Sequence, residues 1–117
     1  MVTPAVGAVV LVPFPFSDLT RSKLRPAICL AAAGRDDWIF CQVTSNPYGD
    51  RRAITITPAH FSEGGLPLTS YARPGKLFTG NRDLVVRQVG TLKPEATTLA
   101  IEAVVELLRG GPETKGV

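Results

Sequence analysis

The chain has 117 residues, 44% of them hydrophobic, with 13 Lys and Arg against 10 Asp and Glu for a net charge of +3. That length holds one hydrophobic core, so residues 1–110 are read as a single domain and residues 111–117 as a flexible tail. The first apolar run is broken by Pro13 and Pro15 and no segment reaches the ~20 apolar residues of a membrane span, while the basic excess favours an anionic partner; the expectation is a cytoplasmic protein without a membrane anchor.

Eleven glycines and ten prolines divide the first three quarters into short apolar runs, the punctuation of a small β barrel or sandwich. Strands are predicted at 6–12, 24–33, 37–45, 52–57, 72–78 and 84–92, separated by the turn sequences "GRDD", "SNPYGDR", "SEGGLP" and "TGNRD". From Pro94 to Arg109 the period changes: Ala96, Leu99, Ala100, Ala103, Val104, Leu107 and Leu108 recur at helical steps, with Pro94 suited to a first turn and Gly110 to a stop. Cys29 and Cys41 sit inside apolar runs, away from metal-ligand spacing, and are read as reduced core residues.

Strand alternation places the polar side chains. In the second run Leu24, Ile28 and Leu30 share one face and Lys23 and Arg25 the other; in the third, Ile39, Cys41 and Val43 are opposed by Gln42 and Thr44. Antiparallel pairing across the short "GRDD" turn then brings Arg25, at the start of one strand, beside Thr44, at the end of the next. Arg25 and Thr44 are both expected to leave the core and form part of a surface phosphate site. Arg21 and Lys23 extend its positive field, and Ser45 and Asn46 add polar groups. Two blander readings stay open at this point: Arg25 paired with a carboxylate such as Asp18, and Thr44 as an ordinary solvent-facing strand residue.

The segments "PFPFSD", "KLRPA", "VTS" at 43–45, and "VGTL" just before the helix, in this order and spacing, resemble the MazF/PemK-like family of toxin endoribonucleases from type II toxin–antitoxin modules. The similarity runs from about residue 6 to 108. It implies a mainly β, SH3-like barrel of the CcdB/MazF/PemK type with a C-terminal α-helix. It further implies a homodimer that cuts single-stranded RNA with neither metal nor cofactor, and a cognate antitoxin as partner. The family's catalytic arginine and threonine correspond to Arg25 and Thr44, the positions already reached from strand alternation.

The implied chemistry is attack of a ribose 2′-OH on its own 3′ phosphate, giving 2′,3′-cyclic phosphate and 5′-OH ends, with Arg25 holding the phosphate and Thr44 positioning it. The general base is unassigned; His60 lies far along the chain from both residues and is read as a loop histidine. One branch of the family uses a later arginine with a nearby aspartate; in "YARPGKLF" Arg73 is present, but Gly75 and Lys76 offer no carboxylate. Arg73 and Lys76 are read as RNA-binding, and with Arg51, Arg52, Arg82 and Arg87 could line a groove for the RNA backbone. Phe16, Tyr48 or Tyr71 could stack on unpaired bases, and Trp38 with Phe40 could mark an apolar dimer surface. Two other classes remain as alternatives: a CcdB-like gyrase inhibitor, against which the polar ending "GGPETKGV" argues, and a catalytically silent binding domain.

Overall fold

A computed structural model describes residues 4–15 and 22–111. Its strands are β1 (Ala8–Pro15), β2 (Ser22–Ala32), β3 (Asp37–Thr44), β4 (Ile54–Ile56), β5 (Phe61–Gly64), β6 (Ser70–Asn81) and β7 (Arg87–Leu92), followed by α1 (Pro94–Leu108). Short 3₁₀ turns at Pro58–His60 and Arg82–Leu84 precede β5 and β7. Among the described residues the strands form one seven-stranded antiparallel sheet in the order β4-β6-β3-β2-β1-β7-β5. Helix α1 packs on β4 and β6 near one end of that order and on β7 near the other. A flat sheet could not meet one helix at both ends, so it curls into a half-barrel around it.

The central strands are buried on both faces, which explains why "AVVLV" and "AICLAA" read as continuous apolar runs. Val9, Ile28, Leu30, Cys41 and Val43 turn toward the helix and join Ile56, Phe61, Ala72, Leu92, Ala96, Ala100 and Val104. Their neighbours Ala8, Val10, Val12, Ala27, Cys29 and Phe40 build a second cluster on the opposite face, against Phe14, Trp38, Phe78 and Val85. There Phe78 meets Phe14 edge-on at 4.8 Å and stacks on Phe40 at 5.1 Å, adding geometric preference to area burial. Phe40 is therefore interior to one copy of the chain rather than part of an exposed dimer face; each such fully buried side chain contributes roughly 1.5–3 kcal/mol.

The helix turns Ala96, Thr97, Ala100 and Val104 inward, and the small residues of that row let it lie close to the sheet. Leu99 and Leu108, expected on the apolar face, are 53% and 73% exposed. Pro94 opens the helix as expected, and Gly110 ends it at φ +70° while the Gly111 N–H reaches back to the Glu106 carbonyl, the left-handed C-terminal cap that glycine suits. No helix among the described residues is long and apolar enough to cross a membrane.

Strand β5 is absent from the sequence reading because "SEGG" reads as a turn. Its pairing with β7 brings Gly64 against Gly90, where a Cβ on Gly64 would collide with the Val89 carbonyl and Gly90, and Gly64 has φ +64°. Gly64→Ala is thus expected to cost about 2 kcal/mol through strain and collision, measured by urea unfolding. Gly65→Ala, with nothing within 4 Å of the added Cβ, should stay within about 0.5 kcal/mol of the parent.

Cys29 and Cys41 are both free and buried, on opposite faces of the sheet. Burial pushes both thiols up to about 12 from an ordinary 9.0. The folded thiols stay neutral where the unfolded ones ionise, so their contribution to stability is intact below about pH 9 and is lost progressively as pH rises toward 12. A thiol-reactive chromophore at pH 8 is expected to react with neither cysteine until denaturant unfolds the protein.

Candidate functional site

The β2–β3 ladder pairs Ala27 with Gln42 and Ile28 with Cys41. Carried two residues further, that register sets Arg25 opposite Thr44, with Val12 beside Arg25 on β1 and Tyr71 beside Thr44 on β6. Arg25 is half-buried and Thr44 only 7% exposed. Together with Ser45 they line an open cavity of about 180 Å³ whose far wall is Leu66, Pro67 and Leu68 from the β5–β6 connection. The juxtaposition expected from strand alternation is therefore present. Solvent exposure of Thr44 is not, because the β5–β6 connection forms a wall over the end of β3.

The Thr44 Oγ1 accepts the Asn46 N–H at 3.2 Å. With that lone pair occupied, the hydroxyl hydrogen is left to point elsewhere, and a phosphate oxygen in the cavity would be a suitable acceptor. The guanidinium supplies a planar set of donors of fixed charge, and the leucine and proline wall gives an apolar surface for a ribose or base. Gln42, two residues before Thr44 on the same strand, has a buried Oε1 without a hydrogen-bond partner among the described residues, but it does not line the cavity.

The other expected residues divide into those at this end of the sheet and those elsewhere. Ser45 lines the cavity. Asn46 bridges, donating to Thr44 and accepting the Tyr48 N–H on Oδ1 at 2.9 Å. Lys23 is exposed on β2, across from Phe14. Arg21, Asp18 and Phe16 lie outside the described residues.

Arg73 and Lys76 flank a large bulge: β3 advances from Cys41 to Val43 while its β6 partners jump from Leu77 to Ala72. Pro74 is fully buried and the Cys41 thiol donates to the Arg73 carbonyl at 3.2 Å, so the bulge is anchored. Lys76 is exposed upon it, and neither residue lines the Arg25–Thr44 cavity. Arg73 instead donates from Nε to Asp50 Oδ2 at 3.0 Å, both side chains being less than a fifth exposed. The carboxylate that "YARPGKLF" lacks is thus provided from the β3–β4 loop. That pairing escaped the sequence because it joins residues 23 apart through a bulge that no local pattern announces.

Of the remaining cations, Arg52 donates to the Gly111 carbonyl at 2.6 Å and Arg82 pairs with Asp36 at 3.6 Å. Arg87 lines a cavity of about 550 Å³ that shares Pro26, Leu66 and Pro67 with the smaller one, so the two adjoin. His60 lies elsewhere. Its Nδ1 accepts the Thr57 N–H at 2.9 Å, and it faces Glu102 and Glu106 in a cavity of about 440 Å³ that shares no lining residue with the Arg25–Thr44 cavity. Among the described residues no three His, Cys, Asp or Glu side chains gather as metal ligands.

No protein-family model matches the chain, and no curated protein matches it in sequence. Solved structures do match. The MazE–MazF structure from Deinococcus radiodurans aligns with TM-score 0.73 at 17% identity over 93% of this chain and 98% of that one. An endoribonuclease from a mycobacterial species aligns with TM-score 0.68 at 17% identity over 96% of each chain. Another mycobacterial endoribonuclease, solved in complex with its cognate antitoxin, aligns with TM-score 0.64 at 19% identity over 96% and 98%. The chain is thus a small antiparallel β half-barrel closed by a single C-terminal helix. More narrowly, it has the fold of the MazF toxins.

The contact between Thr44 and Asn46 has a measurable worth. Thr44→Val, which keeps the shape and removes the acceptor, is expected to lower stability by about 1 kcal/mol in urea unfolding. Thr44→Ser should stay within about 0.5 kcal/mol of the parent.

Proposed function

We propose that this protein is the toxin of a type II toxin–antitoxin module and a metal-independent endoribonuclease that cuts single-stranded RNA at short sequences. The observation that carries the reading is the convergence of Arg25 and Thr44, from adjacent strands, in one open cavity on a fold shared with MazF toxins. The reaction needs no external nucleophile. The 2′-hydroxyl loses its proton as its oxygen attacks the adjacent phosphorus, the P–O5′ bond breaks, the leaving 5′-oxygen takes up a proton, and the products are a 2′,3′-cyclic phosphate and a 5′-OH. The protein's part is to align attacking and leaving oxygens and to stabilise charge on the phosphoryl oxygens. Arg25 faces that charge with its guanidinium fork; Thr44, its oxygen anchored by Asn46, donates its hydroxyl hydrogen to the same phosphate. Lys23 and Ser45 extend contact along the RNA backbone.

Solved neighbours that carry an antitoxin support an antitoxin as the regulatory partner, one whose acidic segment would neutralise the basic surface. A homodimer acting in the cytoplasm completes the reading.

The test is purified protein incubated in EDTA with a long single-stranded RNA, the cut ends mapped beside an Arg25→Ala variant. Cuts at a few sequences with cyclic-phosphate and 5′-OH ends are expected, reduced at least about 100-fold in the variant. Arg25→Lys, which keeps charge and loses the fork, should fall in between. Absence of cleavage by folded, antitoxin-free protein would overturn the reading.

A further inference from the structure

We infer that Tyr48 is a nucleobase-stacking residue, its ring receiving one base of the single-stranded RNA next to the phosphate held by Arg25 and Thr44. The inference rests on the endoribonuclease reading and adds to it a recognition element outside the cavity.

Tyr48 is 64% exposed and belongs to neither hydrophobic cluster, so packing does not account for its size. Its backbone has φ +55°, uniquely among the described non-glycine residues, and Gly49 follows at φ +72°. With the Asp50 N–H on the Pro47 carbonyl at 2.9 Å, this is a two-residue turn with both central positions left-handed. Such turns favour Asn-Gly or Gly-Gly, and an aromatic residue at the first position is strained. A bulky side chain kept in that conformation on the surface points to a use for the side chain itself.

The ring is also supported. The Arg73 guanidinium lies 5.4 Å from its centroid, and Arg73 is fixed in turn by Asp50 at 3.0 Å. One face of the tyrosine therefore has a rigid cationic floor, and the high exposure leaves the other to solvent. A platform of this kind suits an unpaired base, since every base presents a π-face and the cation beneath adds attraction for an RNA strand.

Asn46 ties the platform to the cavity. Its N–H donates to the Thr44 hydroxyl oxygen at 3.2 Å and its Oδ1 accepts the Tyr48 N–H at 2.9 Å. One residue, through its backbone N–H and its side-chain oxygen, thus sets the Thr44 oxygen and the start of the Tyr48 turn together. A protein partner could use an exposed tyrosine as well, but the cation beneath the ring and the direct tie to Thr44 favour RNA.

The experiment uses the full chain and a single-stranded oligoribonucleotide spanning a cut site mapped with the wild-type protein. Tyr48→Gly relieves the strained φ, so the variant should be as stable as wild type in thermal melting while its KM rises about 10-fold or more. Tyr48→Trp should keep a near-wild-type KM. In an abasic scan of the same oligonucleotide, one position should reproduce the loss with wild-type protein, and Tyr48→Gly should add nothing further at that position. A Tyr48→Gly KM within twofold of wild type, or losses that multiply at every abasic position, would overturn the stacking role and leave the endoribonuclease reading intact. If the wild-type protein cuts no RNA, that reading falls and the role of Tyr48 falls with it.

Discussion

The register of β2 against β3 is the constraint on which the rest depends. With Ala27 opposite Gln42, alternate residues of both strands are sorted between a helix-side cluster and a second apolar cluster on the other face. A slip of one residue would exchange Ile28 and Leu30 with Ala27 and Cys29 and leave both clusters mispacked. That penalty is borne by the core, yet the site benefits, because the same pairing puts Arg25 across from Thr44. Core packing along two strands thus sets the backbone positions of the pair.

The bulge in β6 plays the corresponding role for the Arg73–Tyr48 arrangement. Several residues of β6 stand opposite Gln42 alone, and the excess chain, held by buried Pro74 and by the Cys41 thiol on the Arg73 carbonyl, directs Arg73 to Asp50 and Tyr48. An ion pair this well shielded has limited value for stability, since desolvation offsets much of the attraction. Its more evident effect is to immobilise a cation under an exposed ring. Bulges that re-aim a side chain beside a functional site are a familiar use of this irregularity.

Much of this was legible in the sequence, and the parts that were not share a cause. Period-two alternation was enough to bring Arg25 to Thr44, and period-3.6 spacing with Pro94 and Gly110 was enough to place the helix. Alternation says which residues share a face but not what covers that face, so Thr44 was expected in solvent although the β5–β6 connection walls it in. Leu99 and Leu108 fit the apolar stripe of the helix by spacing but lie in solvent, because hydrophobicity alone does not distinguish a leucine from the smaller Ala96, Ala100 and Val104 that close approach selects. Strand β5 was hidden because its glycines are there for backbone contact with Gly90, while in a sequence the same residues spell a turn. The Arg73–Asp50 pair depends on a bulge, and a bulge is a tertiary fact.

The two halves of the candidate site therefore stand on different supports. Arg25 and Thr44 belong to strands whose register the whole core enforces. The Asn46–Asp50 turn and the Leu66–Leu68 wall belong to connections, where sequence can change at little cost to the core. Substitutions in those connections can reshape the surroundings of the cavity while the strand register keeps Arg25 across from Thr44. On the proposed endoribonuclease reading, such a division of labour would let sequence preference change while the cleavage chemistry is retained. Asn46, which touches both halves through one backbone and one side-chain hydrogen bond, is the place where a change in one half would be felt by the other.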